Sequence, residues 1–165
     1  DKELYEDLTD ELCQKTRFVP WPSIGSLFNV IKDSELSLIK PTKYRGKIKL
    51  DGTNAAIQVK PDGLLAQSRT KIITINDDNY GFAKWLDSKK LDIADDCGEI
   101  IIFGEWCGPG IQNSTSISKI PNKIFAIFAI VNSDGMVISE PDDIAKIIKP
   151  SNDVFIIPWL TDEIE

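Results

Sequence analysis

The residues of this chain with the clearest chemical potential are Lys47-Ile48-Lys49-Leu50-Asp51-Gly52-Thr53-Asn54, a lysine entering a tight turn that closes on an asparagine. The pattern K-x-D-G-x-N suits covalent nucleotidyl transfer. The Lys49 amine would attack the α-phosphate of a nucleoside triphosphate, for which it must be partly neutral and well aimed. Neighbouring cations such as Arg45 and Lys47, and desolvation under a bound purine, would favour the neutral amine. Asp51-Gly52 supplies a turn tolerant of positive φ, so backbone can approach a nucleotide closely. The same eight residues also read as an ordinary Asp-Gly hairpin turn beside an exposed lysine, and motifs this short recur by chance.

A second run bears on that choice: Ile102-Phe103-Gly104-Glu105-Trp106-Cys107-Gly108-Pro109-Gly110-Ile111-Gln112. It places a carboxylate at the end of an apolar strand, followed by a Gly-Pro-Gly loop. Glu105 could there accept a hydrogen bond from a ribose hydroxyl or hold a metal ion. Taken alone, it is equally a solvated glutamate before a surface loop.

Composition narrows the chemistry further. The 165 residues are of one-domain size, 1–165, and long enough to bury a core. Apolar residues at 42% and charged residues at 27% mark a globular rather than a disordered chain. With no histidine, Ser-His triads, His-Cys zinc sites and histidine acid–base chemistry are excluded. The net charge of -7 disfavours non-specific nucleic-acid binding except where cations cluster locally. They do so in Lys40, Lys43, Arg45, Lys47 and Lys49, a stretch with no acid in sequence. That stretch would contact phosphate backbone, or else guard a strand edge against aggregation. Cys13, Cys97 and Cys107, odd in number and widely spaced, fit a reducing, intracellular and most simply cytoplasmic setting. No apolar run reaches transmembrane length and no signal peptide is visible, so no membrane association is expected.

The elements that must position these residues follow from periodicity. Residues 1–15 read as an acidic helix with Leu4, Leu8 and Leu12 on one side, and Arg17 to Ser26 as an extended crossing segment in which Trp21 anchors packing. From Arg45 the pattern is β, with Ile48 and Leu50 facing one way and Lys47 and Lys49 the other. Ala55–Lys60 and Leu64–Ser68 form a hairpin across Pro61-Asp62-Gly63. Asp77 to Lys89 predicts a helix burying Phe82, Trp85 and Leu86. Glu99–Trp106 and Ile124–Val131 are apolar enough for central strands, and Gly135–Ser139 would pair with the latter. Pro141–Lys149 predicts a helix with Pro near its start, and Val154–Ile157 a final strand. The class is α+β with antiparallel sheets predominating.

Together the two motifs resemble a family. K-x-D-G-x-N, an arginine after the next hairpin, F-G-E-x-x-G-P-G-I-Q and then an aromatic-bearing strand look like the RNA ligase 2 type of ATP-dependent RNA ligases. That type falls within the covalent nucleotidyltransferase superfamily, whose DNA ligases and capping enzymes share the lysine motif but usually not the Gly-Pro-Gly-Ile-Gln loop. The resemblance runs from Phe18 to Pro158. It implies an antiparallel-sheet-rich nucleotidyltransferase (ATP-grasp-like ligase) domain that uses ATP and Mg²⁺ and joins RNA ends through lysyl-AMP. Lys49 would be the nucleophile, and Ile48 and Leu50 its nucleotide-binding neighbours. Asn54 would contact phosphate or the RNA end, Arg69 the ribose and phosphate, and Glu105 the ribose. Phe128 would stack on adenine, with Phe125 as its rival by register. Ala129 replaces the acidic residue common at that place. The family's downstream glutamate strand and lysine-bearing strand have no counterpart after Pro158, so the expectation is either a segment of a longer ligase, which the abrupt ends favour, or a naturally pared-down relative, acting on nicked or broken RNA. The alternatives are a non-catalytic module that binds nucleotides or RNA ends, or a nucleotidyltransferase of the DNA ligase or capping type.

Overall fold

Pro61 and Asp62 turn the chain back on itself, so β1 (Thr53–Lys60) and β2 (Gly63–Gln67) form an antiparallel hairpin closed by the Lys60–Gly63 pair. The computed structural model describes residues 12–23, 43, 45–112 and 119–163. Within these the hairpin extends on both sides into a seven-stranded sheet. Its remaining strands are β3 (Ile72–Ile73), β4 (Ile100–Cys107), β5 (Ile124–Asn132), β6 (Val137–Ile138) and β7 (Val154–Ile156). The order is β3-β2-β1-β4-β5-β6, and β7 lies beside β5 as well, on the edge that β6 also uses. All pairings are antiparallel except β5 with β7. The expected strand at Val154–Ile157 is thus a parallel exception in an antiparallel sheet.

Period-two alternation gives the central strands two different faces. Ala55, Ile57, Ile102, Trp106, Phe125, Ile127 and Ile130 turn to one side and are 1% exposed or less. Helix α1 (Phe82–Ser88) covers that side with Phe82, Ala83 and Leu86. The Phe82 ring lies 5.1 Å from Phe125 and 5.3 Å from Trp106, distances at which aromatic pairs add stability beyond area burial alone.

α1 begins five residues later than the expected Asp77. Tyr80 (φ 52°) and Gly81 (φ 81°) are both left-handed, which a helix cannot contain. Asp78 instead caps from outside: its carboxylate accepts the Ala83 and Lys84 N–H groups at 2.8 and 3.0 Å, donors that the first turn leaves without helical partners. The second helix, α2 (Pro141–Ile147), has Pro at its start, Asp142 and Asp143 in the first turn and Ile144 fully buried. It stops short of the expected Lys149 because Ile148 turns extended and bridges to Ile93.

The opposite face carries Asn54, Ala56, Gln58, Gln67, Phe103, Glu105 and Ala126, which the strand register sets side by side. Part of it is crossed by the extended segment after Arg17. Two buried glutamines hold that segment in place. Gln58 Nε2 donates to the Arg17 carbonyl (2.9 Å) and to Gln67 Oε1 (2.6 Å), while Gln67 pairs with both the N–H and the carbonyl of Val19 (3.0 Å each). Trp21 then packs against Phe103 and Phe128, centroids 5.0 and 5.1 Å apart. Of the expected first helix, residues 12–15 are helical; residues 1–11, like 24–32, lie outside the described residues.

Candidate active site

Gly52 is where the lysine motif meets the sheet. A Cβ at this position would lie 2.4 Å from the Trp106 carbonyl oxygen and 2.9 Å from Cys107 Sγ, so no other residue fits without displacing backbone. Its N–H donates to Glu105. Its carbonyl accepts the Gln112 side-chain amide at 3.4 Å, tying the turn to the loop that follows β4. β1 starts at the next residue, and Asn54 sits directly opposite Glu105 across the β1–β4 ladder. The Asp-Gly pair is therefore a close-packed junction between the two motifs rather than the loop of a hairpin.

Glu105 is half-buried, and burial pushes its carboxyl above the ordinary glutamate range. The Gly52 N–H, the Lys49 ammonium and the Arg69 guanidinium pull it back down, while Asp51 adds to the rise. Lys49 and Arg69, far apart in sequence, thus both act on one carboxylate. Arg69 stands just beyond the end of β2, next to the Asn54 end of β1, with its side chain exposed. Lys49 is exposed too.

Phe128 and Phe125 separate by face. Between Phe103 and Gly104 on β4 the β5 partners step from Ala129 to Ile127, which leaves Phe128 as the extra residue of a bulge. Its ring meets Trp21 on the Glu105 side, whereas Phe125 is fully buried under α1. Gly104 accommodates this arrangement, since a Cβ there would come within 2.6 Å of both the Ala126 oxygen and the Phe125 ring. Asn54, Glu105 and Phe128 accordingly belong to one side of the sheet, and the charges of Lys49 and Arg69 act on Glu105 there.

The segment leading to Lys49 departs from expectation. Among the described residues, 48–52 pair with no strand, and the bridge nearby joins Lys47 to Trp159. Ile48 is 48% exposed and Leu50 is half-buried, so strand alternation does not govern them. Arg45 and Lys47 do not serve Lys49 either. Lys47 Nζ donates to the carbonyls of Phe128 (3.2 Å) and Ser139 (2.6 Å) and lies 4.4 Å from the Trp159 ring centroid. Arg45 reaches Glu140 at 3.4 Å, and Glu140 also accepts the Trp159 indole N–H at 3.0 Å. Lys43 lies 3.5 Å from Glu163. The cationic stretch is acid-free in sequence only, because the fold supplies its acids from residues about a hundred positions away. Lys40 lies outside the described residues.

Cys107, beneath Gly52, is fully buried, and that burial together with Glu105 and Asp51 pushes its thiol up to about 12. It is a packing residue, not a nucleophile. Among the described residues no group of three or more Cys, Asp or Glu side chains is arranged to hold a metal ion. A divalent cation at this site would take its oxygens chiefly from a bound triphosphate. Among the described residues no helix is long and apolar enough to cross a membrane.

The chain resembles solved structures at low identity. The Naegleria gruberi RNA ligase with PPi is 21% identical, with a TM-score of 0.62 over 91% of this chain and 44% of that one. A mutant of the same ligase with ATP and Mn is 20% identical, with a TM-score of 0.52 over 74% of this chain and 37% of that one. These likenesses establish the sheet-rich α+β fold, and the chain spans less than half the length of the structures it matches. No curated protein matches the sequence. The family described as RNA ligase matches residues 43–164, which contain the lysine motif, Arg69, the Glu105 loop and Phe128, and the chain therefore belongs to the RNA ligase family.

Proposed function

We propose that this chain is the nucleotide-binding part of an ATP-dependent RNA ligase in which Lys49 becomes the lysyl-AMP nucleophile. The observation that carries the reading is that the charges of Lys49 and Arg69 both act on Glu105, on the sheet face that also bears Asn54 and Phe128. In the first step the Lys49 nitrogen attacks the α-phosphorus of ATP. An N–P bond forms, the bond to pyrophosphate breaks, and the amine proton passes to solvent. Arg69 stabilises phosphate charge, Glu105 accepts a ribose hydroxyl and Phe128 stacks on adenine, so the α-phosphate is presented to the amine. The AMP then moves to the 5′-phosphate of an RNA end, breaking the N–P bond, and a 3′-hydroxyl displaces AMP to seal the strand. Mg²⁺ would add charge neutralisation on the triphosphate, and no step assigned to these side chains runs through it. The half-buried Cys97 and buried Cys107 suit a reducing, intracellular setting.

The test is mass spectrometry of the full-length protein after incubation with Mg²⁺ and either ATP or GTP. An AMP adduct on Lys49, absent in Lys49→Ala, followed by sealing of nicked RNA, is the expected result. Adduct from GTP alone would indicate a capping enzyme, sealing of DNA alone a DNA ligase, and nucleotide binding without adduct a non-catalytic module.

A further inference from the structure

On the far side of the sheet from Lys49, a groove of about 600 Å³ runs between α1 and the loops preceding β5 and β7. One wall is a single stripe of α1, in which Lys84, Trp85 and Ser88 recur at the three- to four-residue spacing of one helix face, continued by Lys89 just past the helix end. Lys123 and Asn122 stand opposite.

We propose that this groove binds the phosphodiester backbone of RNA, as a contact separate from the nucleotide site and resting on the reading of the protein as an RNA ligase. Charge is the first argument. Three ammonium groups line the groove against one carboxylate, Asp153, and that carboxylate is occupied by Lys89 Nζ (2.7 Å), the Trp85 indole N–H (2.9 Å) and the Ser151 hydroxyl (2.9 Å). Lys123 Nζ donates to the Tyr80 carbonyl at 2.6 Å, which leaves its charge uncompensated. Lys84 is exposed, and its ammonium has no ion-pair partner among the described residues, while its backbone N–H donates to Asp78. In a chain of net charge -7, a polyanion is attracted only where cations outnumber acids, and they do so here. The remaining lining groups, the amides of Asn122 and Asn152 and the Ser88 hydroxyl, suit phosphate and sugar oxygens rather than an apolar partner.

Position is the second argument. Trp106 forms part of the groove, and its neighbour Glu105 points to the nucleotide face. The backbone at Lys123 packs against Gly108, where a Cβ would come within 2.7 Å of Lys123 Cα, at the rim that separates the two faces. A strand leaving the nucleotide site around the end of β4 would meet these lysines next.

The experiment measures RNA affinity of the full-length protein as a function of salt, beside AMP-adduct formation without RNA. Lys84→Gln with Lys123→Gln should weaken RNA binding by on the order of tenfold at low salt and reduce the log–log salt slope by about 1.4 for a single strand. Adduct formation should be unchanged. Lys84→Gln alone, at an exposed side chain without partners to lose, should reduce the slope by about 0.7. Lys146→Gln, a lysine outside the groove, should leave it as in the parent. An unchanged slope in both groove variants overturns the proposal, as does an equal loss in Lys146→Gln. Absence of the adduct from the parent protein would count against the ligase reading, and the groove would still be decided by the slopes.

Discussion

The Lys47 ammonium donates to the carbonyl of Phe128 at 3.2 Å, joining the chain two residues before Lys49 to the bulge of β5. Burial holds the Lys47 ammonium below the ordinary lysine range, and Glu140 partly restores it. The cation is thus embedded between two carbonyls and the Trp159 ring. It braces the approach to Lys49 against the strand that carries the aromatic.

Replacing it should loosen both. Lys47→Met keeps the aliphatic length and removes two charge-assisted hydrogen bonds and a cation–π contact, costing about 2 kcal/mol in chemical denaturation. AMP should bind less tightly as Phe128 loses its tether. A variant with parent stability and parent AMP affinity would show that the brace is idle.

Gly52→Ala should be worse than its single added methyl suggests. The methyl would meet the Trp106 carbonyl oxygen of β4 at 2.4 Å, a backbone atom held by the sheet, and the buried Cys107 Sγ at 2.9 Å. We expect a loss of about 1–3 kcal/mol with the turn displaced, and adduct formation at Lys49 reduced disproportionately. Stability measured by denaturant titration, set beside adduct yield, separates the two effects. Parent-like values of both would mean that the junction is not tightly packed.

Glu105 makes stability depend on pH. Its raised folded-state pKa means that the folded protein holds this proton more readily than the unfolded chain. The resulting stabilisation is complete below the ordinary glutamate range, roughly pH 4, and is lost as pH rises through the raised value. Glu105→Gln keeps an acceptor for the Gly52 N–H and cannot ionise. It should melt higher than the parent at neutral pH, with the difference shrinking toward pH 4. A difference that grows on acidification would contradict this account.

Cys107 should resist thiol reagents in the folded protein. With its thiol pushed up to about 12 and its side chain buried, almost no thiolate is present or reachable at neutral pH. Mass spectrometry after brief alkylation should find Cys107 modified only when denaturant is added. Rapid labelling under native conditions would show that the Gly52 junction opens readily.

Much of the chemistry was legible in the residues themselves. Lys49 and Glu105 stand out because a reactive amine and a strand-end carboxylate each need a particular residue type beside a turn or strand end, whereas only the family resemblance singles out Arg69. Local periodicity likewise located the hairpin, the central strands and both helices, since alternation and helical spacing are properties of a short stretch. What it could not supply were facts that depend on distant partners. That Phe128 rather than Phe125 shares the Glu105 face follows from a one-residue bulge opposite Phe103 and Gly104, which reverses side-chain direction and arises only when β4 and β5 pair. That Gln58 and Gln67 are buried reflects the capture of Arg17 and Val19 by their amides, a satisfaction of polar groups invisible along either strand. And the cations before Lys49 look unopposed in sequence, yet the fold brings them Glu140, Glu163 and the Trp159 ring. Charge and ring pairing act through space, so only the tertiary structure decided which of these cations meet acids and that Lys47 is held by two carbonyls and a ring.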